Sequence, residues 1–86
     1  GEGHVDAQYN LGVIYENGEG VGQDFHQARA WYEKAASQND AQAQFDLGVM
    51  NELGQGGSIN LKQARTWFGL ACNNGHKEGC ERYENN

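Results

Sequence analysis

The chain has 86 residues, 37% of them hydrophobic, with no proline and a formal net charge of −6. That length holds one small domain, which buries a low fraction of its surface and gains from extra support. No apolar run approaches a membrane span or the core of a signal peptide, and the acidic balance argues against a nucleic-acid backbone as partner, because such binding rests on Lys and Arg.

The first predicted helix covers 5–16, where Ala7, Leu11, Ile14 and Tyr15 recur at steps of three and four and so share one face. Gly18, Gly20 and Gly22 end it with a glycine cluster, read as a built turn because Gly54, Gly56 and Gly57 form a second cluster at regular separation. A second helix over 25–37 carries Ala28, Trp31, Tyr32, Ala35 and Ala36 on one face. Asp24, three residues before Gln27, offers its start a side-chain acceptor in a capping-box-like pattern. Asn39 with Gln42 gives the same signal for a third helix over 41–52, and Asn60 with Gln63 for a fourth over 61–73. The fourth repeats the apolar face of the second with Ala64, Trp67, Phe68, Ala71 and Cys72. A fifth helix is predicted over 77–84, with Cys80 and Tyr83 facing inward.

Shifted by 36 residues, the sequence falls on itself: residues 7–42 laid on 43–78 give 13 identities. Leu11, Gly12 and Val13 meet Leu47, Gly48 and Val49, and Gln27, Ala28, Arg29 and Trp31 meet Gln63, Ala64, Arg65 and Trp67. Tyr9 meets Phe45, and Tyr32 meets Phe68. A fixed period in this range marks stacked helix pairs. In each pair, small residues let two helices approach while the aromatics fill the space beside them. The expected fold is all-α: an α/α superhelical solenoid of two helix-turn-helix repeats, about 4–39 and 40–75, plus a C-terminal capping helix, about 76–86.

The spaced residues Ala7, Leu11, Gly12, Tyr15, Gly18, Gly20, then Asp24, Ala28, Trp31, Tyr32, Ala35 and Ala36 resemble the Sel-1-like repeat, a relative of the tetratricopeptide repeat. The pair Cys72 and Cys80, eight apart around Asn73, Asn74, Gly75 and His76, resembles the bacterial cysteine-rich branch of that family. The first copy departs from the branch, with Ala36 and Gln44 at the cysteine positions. The second departs at Asn51 and Gly57, where the family carries tyrosine and valine, which predicts looser packing of the second loop.

Three readings of the cysteines stand open on the residues. They form a bridge worth about 2–3 kcal/mol for so short a loop. They are reduced core residues that pack as small hydrophobes. Or they hold a metal with His76, although three ligands around the Asn73–Gly75 turn fit a metal site badly. The resemblance implies the bridge, and a bridge implies a periplasmic or secreted protein, with a cytoplasmic one left open.

No catalytic constellation is read in the chain. His4 and His76 share one repeat position, and His26 falls in a helix's first turn. Ser37 and Ser58 begin no nucleophile motif, and Gly18–Gly22 lacks the Gly-Lys-Ser/Thr ending of a phosphate loop. The expectation is a non-enzyme that needs no cofactor and no metal. It is instead a monomeric scaffold that binds a protein or peptide, neutral or basic, in a concave groove. By resemblance to tetratricopeptide repeats, the first helix of each unit lines that groove. The candidate residues are Asp6, Tyr9, Val13, Glu16 and Asn17, then Gln42, Phe45, Val49, Glu52 and Leu53, with Glu78 and Glu81 beyond. The alternative for Tyr9 and Phe45 is packing between neighbouring first helices. Alternatives for the whole chain are a structural piece of a longer array, or the β-lactam binding or hydrolysis that resemblance to cysteine-rich relatives brings in.

Overall fold

The computed structural model describes residues 2–85; Asn86, the last residue of the expected cap, lies outside the described residues. Five helices follow one another: α1 (Glu2–Asn17), α2 (Phe25–Ala36), α3 (Ala41–Leu53), α4 (Leu61–Asn73) and α5 (Lys77–Asn85). Each packs antiparallel-fashion against the next, and the stack measures 36 × 29 × 16 Å. The predicted helices agree with these bounds within a few residues.

The helix starts are fixed by side chains that accept orphan N–H groups. Asp24 accepts from the Gln27 amide at 3.1 Å and Asn60 from the Gln63 amide at 3.0 Å, as the spacing predicts. The third start is shifted by one: Asp40, not Asn39, caps α3, accepting from the Ala43 amide at 2.9 Å. Asn39 instead takes a left-handed backbone (φ 69°) after α2, the role that Gly75 fills after α4 (φ 92°). His76, the repeat counterpart of Asp40, caps α5 through Nδ1, which accepts from the Gly79 amide at 3.0 Å.

Within each repeat the two helices touch through a glycine. A Cβ on Gly12 would stand 2.5 Å from the Tyr32 ring, and one on Gly48 would stand 2.5 Å from the Phe68 ring. The aromatic of the second helix therefore packs directly on bare backbone of the first. Tyr32 and Phe68 are fully buried in consequence. Around them sit Ala28, Ala35, Ala36, Ala43, Leu47 and Met50 in one cluster and Ala64, Ala71 and Phe45 in the other. Gln38 donates to Gln8 at 2.7 Å, and its counterpart Asn74 donates to Gln44 at 2.9 Å, so both repeats close with the same side-chain bond.

The second loop differs from the looser packing predicted for it. Asn51 is 1% exposed, and its amide donates to the Leu47 carbonyl at 2.9 Å. Its Oδ1 accepts from the Arg29 guanidinium, which also donates to the Gln55 carbonyl at 3.4 Å. Arg29 reaches there because α2 stacks on the second repeat, and it lies against Gly57, where a side chain would collide with it. The two departures, Asn51 and Gly57, are thus a matched seat for one arginine.

Cys72 and Cys80 are joined by a disulfide that ties α4 to α5 across a Cα separation of 4.4 Å. At the equivalent place in the first copy, Gln44 is 1% exposed and donates to the Ala36 carbonyl at 3.1 Å. A buried amide there does with hydrogen bonds what the bridge does covalently. Tyr83 departs from the inward position expected of it. It is 36% exposed, with its ring under Arg65 and against Gly69, whereas its counterpart Leu47 is fully buried.

Candidate concave binding face

Successive first helices are linked on one side of the stack by side chains that reach across. Tyr9 on α1 donates its hydroxyl to Asp46 on α3 at 3.0 Å. Gln42 donates to the other oxygen of Asp46 at 3.3 Å and meets His76 Nε2 at 3.1 Å. Because His76 Nδ1 accepts from Gly79, Nε2 carries the proton in the neutral ring and donates to Gln42. Further along, Arg82 on α5 pairs with Glu52 on α3 at 3.0 Å. These contacts place α1, α3 and α5 along one shared face.

The predicted groove residues divide over that face. Asp6, Asn17, Gln42 and Leu53 are exposed, and Tyr9, Val13, Glu16, Val49 and Glu52 are half-buried. Asn17 donates to Glu19 at 3.1 Å within the first loop. Phe45 is the correction: at 8% exposure it is a core residue, its ring stacked on His76 at 4.5 Å and packed on Phe68. Helix α5 covers it, so it offers no open anchor. Tyr9 also packs inward, 5.4 Å from the Tyr32 ring, and is half-buried. Both aromatics thus pack between neighbouring helices. Glu78 and Glu81 on α5 are exposed.

The electrostatics centre on Asp46, which the predicted groove omitted. Burial disfavours its charge, and Glu16 and Asp40 add to the effect, against the hydrogen bonds from Tyr9 and Gln42 that favour it. The balance pushes its pKa from 3.8 up to about 6. Burial and the adjacent carboxylates likewise push the phenols of Tyr9 and Tyr32 upward, so both remain hydroxyl donors. The Tyr32 hydroxyl donates a hydrogen bond to a Glu16 oxygen at 2.6 Å. The sequence carries one feature that could mark Asp46: the repeat places it opposite Asn10 and Arg82, a position that changes charge from copy to copy.

A cleft lies elsewhere, at the C-terminal end of the stack. It encloses about 470 Å³ between α4 and α5 and is lined by Arg65, Gly69, Leu70 and Tyr83 among others. Leu61, Leu70 and Tyr83 leave apolar surface open around it. In the first repeat the matching start of α2 is overlaid by the second loop, where a Cβ on Gly56 would meet the Phe25 carbonyl at 2.5 Å. Among the described residues no group of three or more His, Cys, Asp or Glu side chains is arranged to hold a metal, and no helix is long and apolar enough to cross a membrane.

The Sel1 repeat model matches the sequence twice, over residues 5–40 and 41–76. Among solved structures, a Sel1 repeat protein from Oxalobacter formigenes superposes with a TM-score of 0.90 at 37% identity, over 92% of this chain and 32% of the other. A protective antigen of uropathogenic Escherichia coli strains with an SLR fold gives 0.87 at 45% identity, over 91% and 17%. Cysteine rich protein B of Helicobacter pylori gives 0.86 at 35% identity, over 90% and 58%. The chain therefore spans between about a sixth and three-fifths of these relatives. No curated protein sequence matches it significantly. The doubled family match, the bridge between α4 and α5 and the superposed helix pairs agree: this chain belongs to the Sel1 repeat family.

Proposed function

We propose that the face shared by α1, α3 and α5 binds an extended or helical segment of another protein, and that the chain serves as an interaction scaffold with no catalytic step of its own. Sel1 repeats are generally interaction scaffolds, which supports this class of function. The observation that supports this particular face is that its first helices are joined by reaching side chains. The half-buried Val13 and Val49 lie among polar groups, an arrangement suited to apolar contact with hydrogen bonds at the rim. The segment is neutral or basic, in keeping with the net charge of −6. The scaffold is read as a monomer, and the disulfide supports a periplasmic or secreted location.

Selection of displayed peptides on the immobilised chain tests the reading. Binders should weaken when exposed groove positions are changed by Asp6→Arg with Leu53→Asp, and persist in the convex-side variant His26→Glu. Binders with the opposite sensitivity would refute it.

A second reading is favoured by the exposed Leu61, Leu70 and Tyr83 around the terminal cleft: a further helix pair stacks there, as the second repeat stacks on the first. A version extended by one repeat should protect the α4 amides from exchange, and unchanged protection would remove this reading. The α5 segment then acts as a joint; without a further repeat it acts as the cap.

A further inference from the structure

The two junctions of the stack are built on the same plan but carry different charges. In the second, Arg82 pairs with Glu52 at 3.0 Å, and its guanidinium sits 5.7 Å from both the Phe45 and Phe68 rings. Moving back by 36 residues replaces Glu52 with Glu16, Phe45 with Tyr9, Phe68 with Tyr32 and Arg82 with Asp46. The first junction therefore keeps the carboxylate and the two rings of a guanidinium seat, but has a second carboxylate where the guanidinium was. The aromatic pairs are equally spaced, 5.4 Å and 5.5 Å apart.

The tyrosine hydroxyls supply hydrogen bonds to Glu16 and Asp46, but they supply no charge. A carboxylate pair offers about eight lone-pair sites, so both oxygens of each keep accepting capacity. Among the described residues no Lys or Arg pairs with either: Arg29 pairs with Glu33 and Arg82 with Glu52. Burial first, and then the nearby Glu16 and Asp40 carboxylates, raise the Asp46 pKa, and no Lys or Arg pair offsets them. The groups facing Asp46 are Tyr9 and Glu16 from α1, Gln42 from α3 and Asp40 at the cap of α3, with Tyr32 from α2 and His76 at the cap of α5 one partner removed.

Resting on the concave face as the binding surface, we propose that the first junction receives an arginine side chain of the bound segment, its guanidinium between Glu16 and Asp46 and against the Tyr9 ring. The chain's own second junction is the template: one carboxylate, two rings and a cation. A planar fork suits two carboxylates better than a point charge does, so arginine outranks lysine. Binding holds Asp46 in its ionised form, so affinity falls as the pH drops below about 6.

The test is a titration of the labelled full chain, followed by amide shifts, with N-acetyl-arginine amide and its neutral isostere N-acetyl-citrulline amide. The expected result is saturable shifts at Tyr9, Val13, Glu16 and Asp46 with the arginine probe, weakening with salt, and none of that size with citrulline. Asp46→Arg should install the second junction's ion pair in the first, keep the fold and abolish those shifts. If that variant loses its helical signal, Glu16→Gln takes its place and should weaken the arginine probe severalfold. Equal shifts from both probes, or shifts unchanged in the folded variant, overturn the proposal. Displayed peptides separate this from the groove itself. Concave-face binders that keep their affinity when every arginine becomes citrulline leave the groove standing and remove the arginine seat. Loss of about tenfold or more at one arginine supports the seat. Absence of any concave-face binder removes both.

Discussion

Replacing Asp46 by Asn removes a charge that folding disfavours while preserving the shape of the side chain. The folded carboxyl titrates at about 6 against 3.8 for the ordinary group. Each pKa unit corresponds to ~1.4 kcal/mol, so the ionised folded state carries a penalty of roughly 3 kcal/mol at neutral pH. Partial solvent access at this half-buried site lowers that to about 1–2 kcal/mol. The Asn oxygen can go on accepting from the Tyr9 hydroxyl, and the exposed Gln42 amide that also donated to Asp46 can turn to water. The sign follows from linkage. A carboxyl whose folded pKa is raised favours folding fully below 3.8 and loses that contribution as the pH rises through about 6. Urea unfolding of both proteins at pH 7 and again below pH 4 should show the variant more stable by about 1–2 kcal/mol at pH 7, with the gap closing at low pH. A variant less stable at pH 7, or a gap independent of pH, would refute the charge argument.

The same reasoning gives distinct outcomes elsewhere in the stack. Gly48→Ala gains about 1 kcal/mol of helix propensity but drives a methyl into the Phe68 ring, and overpacking of about 1–3 kcal/mol or more outweighs it. Thermal unfolding should fall by several degrees, and a rise would show that the ring moves aside freely. Replacing both Cys72 and Cys80 by Ser should cost about 2–3 kcal/mol in urea unfolding, with the loss of amide protection concentrated in α5. Uniform loss across all five helices would mean that the bridge holds the whole stack and not one joint. Arg29→Ala leaves Asn51 Oδ1 buried without its donor, a cost of about 1–3 kcal/mol. Hydrogen exchange should accelerate over Asn51–Ile59 and stay unchanged over Asn17–Gln23.

The helices were legible because each face repeats at helical spacing and the whole pattern recurs after 36 residues. Gly12 and Gly48 were readable for the same reason: a small residue opposite an aromatic, found twice, implies close backbone approach. What escaped were partners that exist only once the repeats stack. Asn51 and Gly57 looked like losses within their own loop, since the arginine that uses them lies 22 residues upstream of Asn51, in the other repeat. Phe45 lay on the groove by its place in α3 and is buried by α5, which meets it through His76 and Arg82. Asn39 gave a plausible cap spacing one residue early, because Asn serves equally as a cap and as a left-handed helix end. Asp46 went unnoticed as a site residue because a lone aspartate on a helix reads as solvated surface until its neighbours Tyr9 and Glu16 arrive from α1.

Partners are proposed to bind the face shared by α1, α3 and α5. Mapping amide shifts of the labelled chain on addition of a selected peptide tests it most directly. Shifts are expected at Asp6, Tyr9, Val13, Gln42, Asp46 and Val49, with α2 and α4 quiet. Shifts confined to Trp31, Trp67 and the rest of α2 and α4 would contradict it.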